Sequence, residues 1–147
     1  MKEYRGGCHC DLVQVTYRTA LEPGRWPLRH DGCSFCRKHG VVATSDPNGE
    51  VVFAFGNGMR ERRYRFGTRT ADFLICGECG VFVAAVMETA GGARAVINAR
   101  VLSGVTLDFG SVTVMSLEGE SAEERQMRRS RNWTPVRDLT YRAALMP

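Results

Sequence analysis

The six cysteines of this 147-residue chain occur as three close pairs, and cysteine thiolates are common ligands of zinc in proteins. The pairs are Cys8-His9-Cys10, Cys33-Ser34-Phe35-Cys36 and Cys76-Gly77-Glu78-Cys79-Gly80. The C-x-x-C-G of the last pair is typical of a zinc knuckle, because its glycines allow a tight turn that aims both sulfurs at one point. The first pair predicts an extended strand, on which Cys8 and Cys10 share one face and His9 occupies the other.

Two such pairs together form a closed site of four thiolates, which is the usual ligand set of a structural zinc. Spacing alone leaves the partners open. The pair at Cys76 and Cys79 could share an ion with the first pair, or it could form a zinc ribbon with the middle pair. Disulfides and a redox C-x-x-C are disfavoured, because the cytoplasm keeps thiols reduced and no βαβ pattern surrounds either C-x-x-C.

The middle cysteine pair has neighbours that could take part in chemistry. Asp31 and Cys33 are two residues apart, so they share a face if the segment is extended, and Cys36 returns to that face after a turn. Asp31, Cys33 and Cys36 are therefore candidate ligands of a second zinc with an open fourth position, as a catalytic zinc requires. His30 and His39 flank this pair and are candidate proton carriers, since histidine titrates near neutral pH. The alternatives are hydrogen-bonded surface histidines and a turn aspartate before Gly32.

Short segments rich in β-branched and aromatic residues, separated by turn signals such as Asp46-Pro47-Asn48-Gly49, predict an all-β fold. The predicted strands are 12–18, 51–55, 62–66, 73–76, 81–86 and 94–98. One short C-terminal helix is predicted, with Ser121 as its N-cap, Glu124 completing a capping box, and an end near Arg131. The remainder, from Thr134 to Pro147, is predicted to be a tail packed on the surface.

The length suits a single domain, for which we predict a core of about residues 4–110 followed by the helix and tail in about residues 111–147. The first five residues contain no apolar segment of a signal peptide, and the longest apolar run, 81–87, is far below the roughly 18 residues of a membrane helix. We therefore predict a cytoplasmic protein that does not bind membranes.

The net charge of +4 is carried almost entirely by arginine. Two groups of arginines are conspicuous: Arg60, Arg62, Arg63, Arg65 and Arg69, and then Arg125, Arg128, Arg129 and Arg131. Both are interpreted as solvated surface, and the alternative is that they bind an acidic small molecule or a nucleic acid. No helix-turn-helix or RNA-binding sheet motif accompanies them, and no aromatic platform for single strands interleaves the first group, which argues against a nucleic-acid partner.

The ordered motifs resemble a known family. Gly6-Gly7-Cys8-His9-Cys10, the cluster ending Cys36-Arg37-Lys38, the knuckle from Cys76 to Gly80, and the Asn98-Ala99-Arg100 stretch are together similar to the glutathione-dependent formaldehyde-activating enzyme (GFA) family, whose domain is shared with centromere protein V. The similarity covers about residues 4–110. It implies a β-tent zinc-binding fold, with Cys8, Cys10, Cys76 and Cys79 around a structural zinc.

The resemblance also implies an activity. In the family, a C-x-C-x-x-C cluster holds a catalytic zinc, and here the first cysteine of that cluster is replaced by Asp31. The implied reaction is of the carbon–sulfur lyase type, in which a thiol such as glutathione adds to a small aldehyde such as formaldehyde, and nearby arginines pair with the carboxylates of the thiol. The alternative is a non-catalytic zinc-stapled β-domain that binds a protein or nucleic-acid partner.

Overall fold

A computed structural model describes residues 1–56 and 61–137 of the chain, and in these residues strands predominate. The strands are β1 (Lys2–Gly7), β2 (Val13–Thr19), β3 (Arg29–Asp31), β4 (Ala43–Thr44), β5 (Glu50–Phe55), β6 (Glu61–Tyr64), β7 (Asp72–Cys76), β8 (Phe82–Thr89), β9 (Gly92–Asn98), β10 (Thr113–Met115) and β11 (Thr134–Pro135). The α-helices are α1 (Ser34–His39) and α2 (Ala122–Asn132), and 3₁₀ turns occupy Pro23–Arg25, Ala99–Val101 and Phe109–Ser111.

The strands form two sheets. The small sheet has the order β1-β2-β5 and is antiparallel throughout. The large sheet has the order β10-β3-β4-β9-β8-β7-β6, with β11 added beside β9. Strand β2 alternates buried Val13, Val15 and Tyr17 with more exposed residues, as expected for a strand with one face against a core.

The centre of the large sheet is covered on both faces. Six consecutive residues at the start of β8, 82–87, are buried, which is the pattern of a strand with no solvent-facing side. One face, including Leu74, Val83 and Ile97, joins the core that contains the buried side chains of the small sheet. The opposite face, including Phe73 and Val96, packs in a second core beneath the helices.

Helix α1 was absent from the sequence prediction, which contained only the C-terminal helix. The Sγ atom of Cys33 accepts a hydrogen bond from the amide of Cys36 and so caps the first turn of α1. Gly40, with a φ of 60°, ends the helix, and the basic residues of its last turn suit the helix dipole.

The C-terminal helix agrees closely with its prediction. Ser121 accepts from the amide of Glu124, and the Glu124 carboxylate accepts from the amide of Ser121, so both halves of the predicted capping box are present. Each of the six predicted strands overlaps an observed strand, and the prediction of a mainly β fold with a short C-terminal helix is confirmed.

The predicted surface tail is partly wrong. Thr134 is fully buried and pairs with Ala95 in β9, because the chain leaving α2 adds a short strand to the large sheet. The rest of that tail, 138–147, lies outside the described residues. Within the described part of the chain, no helix is long and apolar enough to cross a membrane.

Candidate metal centre and the adjoining cavity

Four cysteines from the two sheets converge at one end of the molecule. Cys8 and Cys10 lie in the connection between β1 and β2, Cys76 ends β7, and Cys79 lies in the turn that leads to β8. All four Sγ atoms lie within 4.8 Å of one another. The Sγ atoms of Cys8 and Cys10 are 3.7 Å apart, and those of Cys10 and Cys76 are 3.6 Å apart. These four thiols could hold a metal ion, as predicted.

The backbone of the first pair differs from the prediction. Strand β1 ends at Gly7, so Cys8 and Cys10 do not lie on an extended strand. The chain turns instead, with the amide of Asp11 donating to the carbonyl of Cys8 at 3.2 Å, and Asp11 adopts a φ of 62°. The turn, rather than strand alternation, brings the two sulfurs to the same side.

Two glycines make this arrangement possible. A Cβ atom on Gly6 would lie 1.9 Å from the carbonyl oxygen of Val101, so any larger residue would push β1 away from the 3₁₀ turn beside it. Gly80 has a φ of 79° and donates its amide to the Cys76 carbonyl at 3.0 Å, closing the knuckle. Both glycines belong to the motifs that the sequence analysis identified.

Backbone amides face the sulfurs and favour their anionic form. The amide of Val13 donates to the Sγ of Cys8 at 3.2 Å. Burial opposes ionisation and raises the pKa of the Cys8 thiol. Burial also acts on Cys79, but hydrogen bonds from the backbone of Val81 and Cys10 and from neighbouring thiols outweigh it and lower the pKa of that thiol to about 6. The centre therefore provides the hydrogen bonds that a thiolate cluster needs.

The predicted second cluster is only partly assembled. Asp31, Cys33 and Cys36 line the same cavity. Among the described residues, however, the four-cysteine group is the only set of three or more potential ligands whose atoms converge on one point. The Asp31 carboxylate instead faces Arg29, with 3.8 Å between Oδ1 and Nε.

The pKa values of the Cys33 and Cys36 thiols are shifted in opposite directions. A hydrogen bond from the Cys36 thiol, aided by the amides of Cys36 and Phe35, lowers the pKa of the Cys33 thiol to about 6. The same hydrogen bond and burial raise the pKa of Cys36. The predicted three-ligand site therefore contains a readily ionised thiol, that of Cys33, but lacks the carboxylate as a converging ligand.

Neither of the two histidines proposed as proton carriers lines the cavity. The Nδ1 atom of His30 is hydrogen-bonded to the carbonyl of Val41 at 2.8 Å. His39 is exposed and packs against Phe35, with 4.3 Å between ring centroids. Their positions give no support to a role in proton transfer.

The cavity has a volume of about 370 Å³ and lies over the outer face of the large sheet. Phe73, Ala85 and Val96 form one row across β7, β8 and β9, and they are its floor. The small side chain of Ala85 leaves space above the sheet. Helices α1 and α2 supply walls, and the cavity that Cys33 lines is also lined by Trp133 and by arginines of α2.

The arginines of α2 were interpreted as solvated surface, and for Arg129 this is wrong. Its side chain is only 7% exposed, because α2 turns this face towards the large sheet. Arg125 and Arg128 also line the cavity, and both donate to Glu120, at 3.1 and 2.8 Å from their Nε atoms. The spacing of Arg125, Arg129 and Trp133, four residues apart, is a helical face that could have been found in the sequence.

The first arginine group agrees with its interpretation where it is described. Arg63, Arg65 and Arg69 are exposed, and Arg65 pairs with Asp72, with 2.6 Å between Nε and Oδ1. Arg60 lies outside the described residues.

The Asn98-Ala99-Arg100 stretch has a positioning role. Asn98 donates from Nδ2 to the carbonyl of Phe82 at 3.0 Å, and Arg100 donates from Nε to the carbonyl of Gly40 at 2.9 Å. These two bonds tie the end of β9 to the start of β8 and to the end of α1. They hold the helix that carries Cys36 against the sheet.

Comparison with known proteins gives one informative likeness. No protein-family model matches the chain, and no curated protein matches it. A crystal structure of a Rhodobacter sphaeroides protein, solved as a structural-genomics target, is similar over 76% of this chain and 99% of that one, with 29% sequence identity and a TM-score of 0.58. The class defined by fold and site is therefore a mainly β protein with a four-cysteine candidate metal centre.

Proposed function

We propose that the four cysteines bind one zinc ion and that the fold is the β-tent of the GFA family. A tetrahedral site with Zn–S bonds of about 2.3 Å places its sulfurs about 3.8 Å apart. The observed separations of 3.7 and 3.6 Å support that geometry without any rearrangement. Zinc is favoured over other metals because the ligand set is four thiolates arranged for a closed tetrahedron. The ion joins the tip of the small sheet to the β7–β8 turn of the large one.

We further propose that the protein is an enzyme of the carbon–sulfur lyase type, and that its reaction takes place in the cavity. The sulfur of a thiol such as glutathione attacks the carbonyl carbon of a small aldehyde such as formaldehyde. A carbon–sulfur bond forms, the carbonyl π bond breaks, and the proton of the thiol ends on the aldehyde oxygen. The reverse reaction breaks the same bond. No cofactor or oxidant is consumed.

The observation that carries this proposal is the placement of Cys33, Cys36 and Asp31 together on one wall of a cavity large enough for a small molecule. These residues correspond to the cluster that holds the catalytic zinc in the family that the sequence resembles. When bound in such a cluster, zinc acidifies a coordinated thiol. Because the three ligand atoms do not converge here, no step of the reaction is assigned to a second ion.

In this proposal, the protein binds the thiol and the aldehyde and orients them towards each other. The apolar floor at Phe73 and Val96 excludes water from one side of the reactants. Holding the thiol and the aldehyde in one enclosed volume removes much of the entropic barrier to their meeting. Cys33, at the start of α1, lines the cavity in which the adduct is proposed to form, and this position supports the proposal.

The test is exchange spectroscopy of ¹³C-formaldehyde with glutathione at equilibrium, which separates catalysed exchange from the spontaneous reaction. Wild-type protein should accelerate exchange in proportion to its concentration, and Cys33→Ala should abolish most of the acceleration. Lys38→Ala, an exposed change on the same helix, is the matched control and should retain it. No acceleration by the wild type would refute the enzymatic proposal and favour the non-catalytic zinc-stapled domain.

A further inference from the structure

The side chain of Arg129 is a buried cation without an anion. It is 7% exposed, and among residues 1–56 and 61–137 no carboxylate forms an ion pair with it. Its Nη1 donates to the hydroxyl of Thr70 at 2.8 Å, and its guanidinium lies 4.7 Å from the centre of the Trp133 ring. Its Nε has no hydrogen-bond partner, although it is shielded from solvent. A buried donor left in this state is costly, which calls for an explanation.

The carboxylates near Arg129 act on it at a distance, because Glu120 and Asp31 are engaged by other arginines. Arg125 and Arg128 share the single carboxylate of Glu120. Asp31, which also lines the cavity, faces Arg29. Burial, together with the nearby Arg125 and Arg128, lowers the pKa of Arg129 to about 10, so the guanidinium remains charged at neutral pH. Glu118 also lines this part of the cavity, so three arginines are opposed by two carboxylates, Glu118 and Glu120, and one positive charge is in excess on the α2 side.

The floor of the cavity and part of its walls are apolar, whereas Arg37, Thr68, Ser116 and Glu118 add polar lining elsewhere. Phe73, Phe82, Val96 and Trp133 line it, and each is less than a tenth exposed. A molecule that fills this space must present apolar surface to the floor and negative charge to α2. A planar carboxylate suits a guanidinium, because two parallel hydrogen bonds can form.

We propose that the cavity binds an organic carboxylate with a compact apolar body, and that Arg129 is the residue that holds the carboxylate. Arg129 lines the cavity and has no ion pair among the described residues, so its guanidinium can receive the carboxylate of a ligand. The apolar body lies over Phe73 and Val96, which directs the other end of the molecule towards Cys33. The proposal concerns binding and is independent of the carbon–sulfur reaction, so either can fail without the other.

Calorimetry with phenylacetate and its neutral isostere phenylacetamide tests this binding on the zinc-loaded full chain. Phenylacetate should bind roughly tenfold more tightly than the amide, because only the anion forms charge-assisted hydrogen bonds. Arg129→Met should remove that preference and leave amide affinity nearly unchanged. Arg129→Lys should retain part of it, since the charge remains but the bidentate geometry is lost. Arg131→Met, an exposed change on the same helix, is the matched control.

A spectroscopic readout keeps the test independent of variant folding. In the wild-type protein, the Nε–H resonance of Arg129 should shift on addition of phenylacetate and not on addition of phenylacetamide. Equal affinity for the two compounds, an undiminished preference in Arg129→Met, or an unmoved Nε–H resonance in the presence of bound phenylacetate would overturn the proposal. Exchange activity with no carboxylate preference would overturn this inference alone and leave the proposed reaction intact.

Discussion

Replacing Cys76 with serine removes one sulfur from a site that links the two sheets. Cys76 is 1% exposed, and its Sγ lies 3.6 Å from that of Cys10 across 66 residues of sequence. If a zinc ion joins these residues, it binds the folded chain and not the unfolded chain, so its binding free energy contributes to folding. The remaining three thiols would bind an ion less tightly, and the folded chain would lose that part of its stability.

The size of the effect follows from the lost zinc affinity. If the loss of one thiolate weakens zinc binding about a thousandfold, the folded chain loses about 4 kcal/mol of stabilisation at room temperature. Domains of this size are stable by about 5–15 kcal/mol, so the loss is a large share of the total. At about 2–4 °C per kcal/mol for chains of this length, the melting temperature should fall by about 8–16 °C.

Thermal unfolding followed by circular dichroism, with zinc measured in the same samples, checks this reasoning. Cys36→Ser is the matched control, because Cys36 is also buried, at 6% exposed, but lies outside the four-cysteine centre. The control should keep its zinc and lose far less stability. If Cys76→Ser melts at the wild-type temperature, or if both variants lose equal stability, the four-cysteine site does not stabilise the fold by binding zinc.

Three further outcomes are expected. Gly6→Ala should lower the melting temperature and reduce zinc retention, because its Cβ would lie 1.9 Å from the carbonyl oxygen of Val101. A variant with the melting temperature of the wild type would contradict this close approach. Glu120→Gln should destabilise α2 at neutral pH: the hydrogen bond from Arg128 lowers the pKa of Glu120, so its stabilisation is present above the unfolded pKa and lost as pH falls through the folded value. The melting curves of that variant and wild type should converge in acid, and a constant difference would refute the assignment. Asp31→Cys should add a second zinc by elemental analysis, since a third thiolate completes the cluster, and an unchanged count would argue against a metal role there.

The regular elements were predictable where local patterns agree with tertiary contacts. The α2 capping box is visible as Ser121 and Glu124, and the alternation in β2 is visible from Val13 to Tyr17. Strand β1 was missed because Lys2–Gly7 is polar and ends in two glycines, and it becomes a strand only by pairing with β2. Helix α1 was missed because a cysteine replaces the usual N-cap residue, although Gly40 after three basic residues is a helix-end signal.

The candidate site was predictable in part. The knuckle at Cys76 and Cys79 is a local motif, but its partner pair depends on contacts across 66 residues, which spacing cannot specify. The cavity arises from the register of β7, β8 and β9, and no local pattern reports that register. The burial of Arg129 was missed because a charged residue on a short helix is usually exposed, and here the sheet covers it.

The central claim is that the four cysteines bind one zinc ion, and X-ray absorption at the zinc edge of the purified protein tests it most directly. The account predicts a first shell of four sulfur atoms at about 2.3 Å, with no nitrogen or oxygen ligand. Cys33→Ala should leave this shell unchanged, because Cys33 lies outside the centre. A shell that contains nitrogen or oxygen, or zinc lost in Cys33→Ala and retained in Cys76→Ser, would contradict the account.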